Sequence, residues 1–120
     1  MLYHFRERHT FERREELCKK MMEKHPDRIP VIVEKFSGDK NLPFFSKHRY
    51  MVLPNSTIGQ LTFIVRESVQ LKSFLTIFMF INNILPPHNI KMNELYNLYK
   101  EPDGFLYITV SSESAFGDYA

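Results

Sequence analysis

A chain of 120 residues with 43% hydrophobic and 25% charged side chains holds enough apolar material for one core and too little length for several. One cysteine excludes an internal disulfide framework and fits a reducing compartment. A formal net charge of +2 with no basic run falls short of a nucleic-acid footprint, and the longest nearly apolar run, Phe74 to Ile81, is too short to span a bilayer.

The N-terminus is charged throughout and has no signal-peptide core, so a cytoplasmic protein is expected. Residues 3–9 mix aromatics and charges and suggest a short helical turn. Thr10 is a candidate N-cap for the next helix, with Glu12, Glu15 and Glu16 near its positive end and Lys19, Lys20 and Lys24 toward its negative end. Cys18, Met21, Met22 and His25 keep helical spacing. Leu17 with Met21 forms an adjoining stripe expected to face elsewhere.

Pro26 stops that helix, and the residues from Arg28 to Lys35 alternate as a strand does. Ile29, Val31 and Val33 point to one face, and Pro30, Ile32 and Glu34 to the other. Pro30 cannot donate to a ladder, so it belongs at an edge, a strand start or a bulge. A loop rich in Gly, Asp, Asn and Pro follows over 36–43. Alternation resumes over 47–53, with Lys47, Arg49, Met51 and Leu53 on one side and His48, Tyr50 and Val52 on the other. These two strands are expected to pair antiparallel, and basic side chains suit an edge that receives an acidic peptide as well as one that avoids aggregation.

Thr57-Ile-Gly-Gln60 reads as a capping box, opening a helix whose buried stripe is Ile58, Leu61, Ile64 and Val65. Thr76 to Ile81 forms a third strand, ending in Asn82-Asn83, a pair suited to the positive φ of a tight turn. A short helix over Met92–Tyr99 ends before Pro102, Asp103-Gly104 turns, and a last strand covers Phe105 to Val110. The order is that of an α+β sheet with a helix on one face. No metal-ligand spacing, phosphate loop or catalytic constellation is present, and a mid-helix Cys18 reads as an apolar filler, so no catalytic residue, cofactor or metal is expected.

The segments 25–35, 47–52, Phe78-Met-Phe-Ile-Asn-Asn83, Asp103-Gly-Phe-Leu-Tyr107 and Phe116-Gly117 occur together in an order and spacing that resemble the autophagy ubiquitin-like modifiers, the family of microtubule-associated protein light chain three and the GABA-receptor-associated protein. The resemblance covers nearly the whole chain. It implies a ubiquitin-like β-grasp, a four-stranded mixed sheet, with two additional N-terminal helices. Residues 1–26 would be the helical extension, 27–110 the β-grasp and 111–120 a flexible tail. It also implies cleavage between Gly117 and Asp118 by a processing cysteine protease, then transfer by activating and conjugating enzymes to phosphatidylethanolamine. The protein would be cytoplasmic, and on the autophagosome membrane when lipidated.

Its partners would be cargo receptors bearing an aromatic-x-x-aliphatic motif, with microtubules as a further one and no nucleic acid. Carried over by position, the aromatic pocket would comprise Leu17, Met21, Pro30, Ile32, Lys47, Arg49, Met51 and Phe105. The aliphatic pocket would comprise Tyr50, Val52, Leu53, Leu61, Ile64 and Val65. For Val52, Ile64 and Val65 a plain core role is an equal expectation. Leu17 stands where relatives often carry an acid, Leu53 where proline is common, and Ser68 where a base is common. Two rival readings are a peptide-binding β-grasp adaptor that is never conjugated, and a basic N-terminal module for tubulin or anionic membranes.

Overall fold

The computed structural model of the protein describes residues 4–72 and 74–113. Its elements in chain order are α1 (Phe5–Arg8), α2 (Phe11–Lys24), β1 (Ile29–Lys35), β2 (Arg49–Val52), α3 (Ile58–Val69), β3 (Phe78–Phe80), α4 (Met92–Tyr99) and β4 (Leu106–Ser111). The four strands form one mixed sheet in the order β2-β1-β4-β3. β1 runs antiparallel to β2 and parallel to β4, and β3 is antiparallel to β4.

The expected α+β class and four strands are therefore present, with β1 and β2 paired as their alternation predicts. Each face of β1 finds its own core. Ile29, Val31 and Val33 join Ile58, Leu61 and Val65 of α3 and Met92 and Leu95 of α4 in the larger core. Ile32 joins Phe5, Cys18 and Phe105 in a second core beneath α1 and α2. Burial of both faces of β1 is what a continuous apolar run in a central strand requires.

Pro30 sits at a strand start. The Val33 N–H donates to His48 O at 2.8 Å, so the odd-numbered amides of β1 face β2. The N–H that Pro30 lacks is therefore on the β4 side, where pairing begins only at Val31. The proline costs no ladder bond.

Local signals set the helix ends. The Thr10 hydroxyl accepts from Arg13 N, and Thr57 and Gln60 complete the reciprocal capping box. Gln70 closes α3 in the left-handed region at φ 55°. Asn82 and Asn83 have φ of 50° and 64°, and Ile81 and Ile84 exchange both main-chain hydrogen bonds at 2.9 Å around them. Gly104, at φ 98°, passes so close to α2 that a Cβ there would lie 2.7 Å from Cys18 Sγ.

Three expectations need correction. The third strand is Phe78–Phe80 rather than 76–81, because only those three residues find partners on β4. His25 is exposed rather than part of a buried stripe, since the helix has ended and its N–H caps Met21 O. Leu17 and Met21 do not face away from Cys18. Both pack against the same second core that holds Cys18.

Candidate peptide-binding site on the β2 edge

β2 is an outer strand, and its hydrogen-bond parity decides what its free side offers. His48, Tyr50 and Val52 lie opposite Val33, Val31 and Ile29 and point their main-chain groups inward. Arg49, Met51 and Leu53 therefore turn theirs outward. Two outward carbonyls are occupied: Arg28 Nη1 donates to Met51 O at 3.4 Å, a long and exposed bond, and Leu53 O accepts from Ser56 N at 3.1 Å and Ser56 Oγ at 2.6 Å.

Side chains alternate across the same strand. On the α2 face Arg49 lies opposite Ile32 and Met51 opposite Pro30. Leu17, Met21 and Met22 of α2 pack against Ile32 and Phe105, both with no accessible surface, while Met51 is half-buried. Leu17, Met21 and Met51 are thus the reachable apolar surface, with Ile32 and Phe105 as its floor. On the α3 face Tyr50, Val52, Leu61 and Val65 are buried in the larger core. Leu53 and Ile64 remain 51% and 46% exposed, so the accessible part of the expected aliphatic set is those two side chains.

The structure does not gather Lys47 with the aromatic set. Its ammonium lies 4.4 Å from the centroid of the Tyr50 ring, a cation–π contact on the other side of the strand. Lys47 precedes β2, so strand parity does not govern it.

Several arginines lie near His9 on the α2 side. The pKa of His9 is lowered first by burial and then by Arg8, Arg13, Arg49 and Arg14 acting together. This field brings Arg49 of β2 together with arginines of α1 and α2. Sequence reasoning singled out Arg49 and missed the others, and it missed Arg28. The dispersed arginines of residues 6–14 had the composition of an ordinary solvated helix face, so nothing marked them.

A buried carboxylate fixes α2 over the sheet. Asp103 accepts from Arg14 Nε at 3.0 Å, from Phe105 N at 2.9 Å and from the Tyr107 hydroxyl. Arg14 Nη1 also donates to His9 O at 2.7 Å, tying the α1–α2 junction into the same network. Burial, with the hydrogen bond to Asp103, pushes the Tyr107 hydroxyl well above its ordinary pKa. Burial likewise pushes the Cys18 thiol up to about 11, so it is inert filler rather than a nucleophile. Among the described residues no group of three His, Cys, Asp or Glu is placed to hold a metal ion.

Gly117 and Asp118 lie outside the described residues. The strand that leads toward them is anchored at its end. The Asp39 carboxylate accepts from Ser112 N and Ser112 Oγ, and from Asn41 N at 2.9 Å.

The arrangement has known counterparts. Residues 12–117 match the family described as autophagy protein Atg8, ubiquitin-like. Autophagy-related protein 8 of Pichia angusta is 42% identical over 113 residues, covering 94% of this chain and 90% of that protein. Autophagy-related protein 8e of Arabidopsis thaliana is 41% identical, covering 94% and 92%. Among solved structures, Trypanosoma brucei ATG8 superposes with a TM-score of 0.86 at 33% identity, covering 98% of this chain and all of that one. Plasmodium falciparum Atg8, solved in complex with a Plasmodium falciparum Atg3 peptide, gives 0.84 at 32%, covering 96% and 100%.

Proposed function

The chain belongs to the Atg8 family of autophagy ubiquitin-like proteins, and from that premise we propose that it is a non-enzymatic modifier joined through Gly117 to phosphatidylethanolamine. In that state it recruits receptors with an aromatic-x-x-aliphatic motif to the autophagosome membrane, and before conjugation it is cytoplasmic. A cysteine protease removes residues 118–120, and activating and conjugating enzymes carry the exposed glycine carboxyl to the lipid amine. Glycine suits that chemistry because its carboxyl carries no Cβ to hinder a narrow protease cleft or a thioester. The Atg3 peptide bound to the Plasmodium relative supports a conjugating-enzyme partner for this chain.

The observation that carries the receptor reading is the open β2 edge. Arg49 and Met51 present main-chain groups outward, with Leu17, Met21 and Met51 on the α2 side of the strand, the exposed Ile64 on the α3 side, and the exposed Leu53 just past the strand's end. An extended peptide adding there gains main-chain hydrogen bonds, while side chains three residues apart reach opposite faces. The exposed Arg49 on the outer strand favours acids beside the aromatic residue. Leu17 leaves the α2 side apolar where relatives often present an acid, which removes a repulsion for those ligand acids.

Two measurements test this. An acidic Trp-x-x-Leu peptide should bind, and Met51→Asp should weaken it at least tenfold, a loss on the scale of an interface hot spot. Unchanged affinity moves the site elsewhere. Mass spectrometry of protein from starved cells should find chains ending at Gly117 and carrying the lipid. An intact Ala120 in every form, with membrane puncta surviving in Gly117→Ala, refutes conjugation.

A further inference from the structure

We propose that the end of α3 and the turn after it form a second, non-covalent contact with an anionic lipid surface, apart from the β2 edge. Phe74 is 80% exposed and Phe63 63% exposed, unusual for rings that gain nothing from water. They are joined into one surface: Phe63, Gln70 and Leu71 line one hollow, and Gln70, Leu71 and Phe74 line the next, which continues to Lys40 and Pro43. Phe44, the residue after Pro43, is 73% exposed.

The rings are held rather than trailing. The Arg66 guanidinium donates to Lys72 O at 3.0 Å and to Leu75 O, and Leu75 N donates to Lys72 O at 3.1 Å. The turn bearing Phe74 is thus stapled to the last turn of α3. A preset loop loses little freedom on docking.

Charge selects the occupant. Lys40, Lys72 and Arg66 border the apolar surface, and Glu67 is the acid that lines it. Lys72 Nζ stands 6.0 Å from the Phe74 centroid, able to lie along the ring while its head stays wet. Projecting aromatic rings beside exposed lysines suit a bilayer interface, where rings enter the headgroup boundary and ammonium groups meet phosphates. A socketed protein partner would need a concave match to each ring, whereas a bilayer conforms to them. α3 lies on the opposite sheet face from α1 and α2, so this surface is also separate from the N-terminal helices.

The contact needs no conjugation, so it is tested on the unconjugated full chain. The chain contains no tryptophan, which makes Phe74→Trp an emission probe without background. With phosphatidylcholine vesicles containing phosphatidylserine, its emission should shift to the blue. Raising salt should reverse the shift, since the charges are exposed. In the otherwise native chain, co-sedimentation with those vesicles should fall about tenfold in Phe63→Ser/Phe74→Ser and severalfold in Lys40→Gln/Lys72→Gln. Both variants should keep the native circular dichroism and the Trp-x-x-Leu affinity. No blue shift, or equal binding to pure phosphatidylcholine, overturns the proposal. So does a concentration-dependent dimer abolished by Phe74→Ser, which would assign the surface to a second copy of the chain.

Discussion

Replacing Asp103 by alanine should destabilise the fold by about 3–5 kcal/mol, the cost of breaking a buried ion pair from one side. The carboxylate is buried and serves Arg14, Phe105 N and the Tyr107 hydroxyl at once. Its removal leaves the Arg14 guanidinium, whose side chain is only 16% exposed, without an anion. Each hydrogen bond to a charged group is worth roughly 1.5–3 kcal/mol alone, but the three share one acceptor and do not add. Against a total stability of roughly 5–15 kcal/mol this is a large fraction. It corresponds to a drop on the order of 10–20 °C in Tm for a domain of this size. The assay is urea unfolding followed by circular dichroism, run as a cycle with Arg14→Met. The double variant should be less destabilised than the two single losses summed, because an unpaired charge is no longer buried. A loss under about 1 kcal/mol for Asp103→Ala, or no coupling to Arg14→Met, would refute the reasoning.

Gly104→Ala should cost about 2–4 kcal/mol, combining a left-handed φ with a Cβ 2.7 Å from Cys18 Sγ. Adding Cys18→Ala should recover the steric part and leave about 1 kcal/mol of backbone strain, and equal stabilities of single and double variants would disprove the contact. Burial lowers the pKa of His48 below 6.5 despite the opposing Glu34, and His9 is lowered too. Their folded forms prefer to be neutral, so stability is full above pH 6.5 and should decline as pH falls through the lowered values. Urea midpoints that hold constant or rise from pH 7 to pH 5 would contradict this. Asp39 is pushed up by burial but pulled lower still by bonds from Ser112, Asn41 and Leu42, so its contribution is lost only in stronger acid, below 3.8. Arg28→Met frees the Met51 carbonyl and should tighten an acidic Trp-x-x-Leu peptide by about two- to fivefold, the release of one weak exposed hydrogen bond. A tenfold weakening in calorimetry would instead make Arg28 a ligand contact.

What the sequence made legible was local. The Thr57–Gln60 box, the Asn82-Asn83 turn and helix Met92–Tyr99 are set by a few adjacent residues, and each stands where its chemistry places it. The two faces of β1 were readable because a period of two survives any tertiary context. The parallel pairing of β1 with β4 left no mark in the periodicity, since it joins residues some 75 positions apart, such as Val31 with Leu106. Asp103 read as a turn residue before Gly104, yet it is buried with a partner 89 residues away. The candidate site divides the same way. Which residues share a side of β2 follows from alternation, but which of them stay open does not. Burial of Val65 and exposure of its neighbour Ile64 depend on how α3 rotates over the sheet.

Strand length and flanking surface favour β2 over β3 as the edge for a ligand. Both strands are outer strands of the sheet. β3 pairs over three residues before the Asn82-Asn83 turn reverses the chain, so it offers a guest strand little length. β2 offers four residues, with α2 and Pro30 beside one face and α3 beside the other. An added strand would therefore meet apolar surface on both sides as well as open main-chain groups along its middle. Arg28 already satisfies one of those groups from outside the sheet. An edge with its polar groups loosely held and its flanks apolar is stable enough to remain unpaired, and open enough to accept a strand.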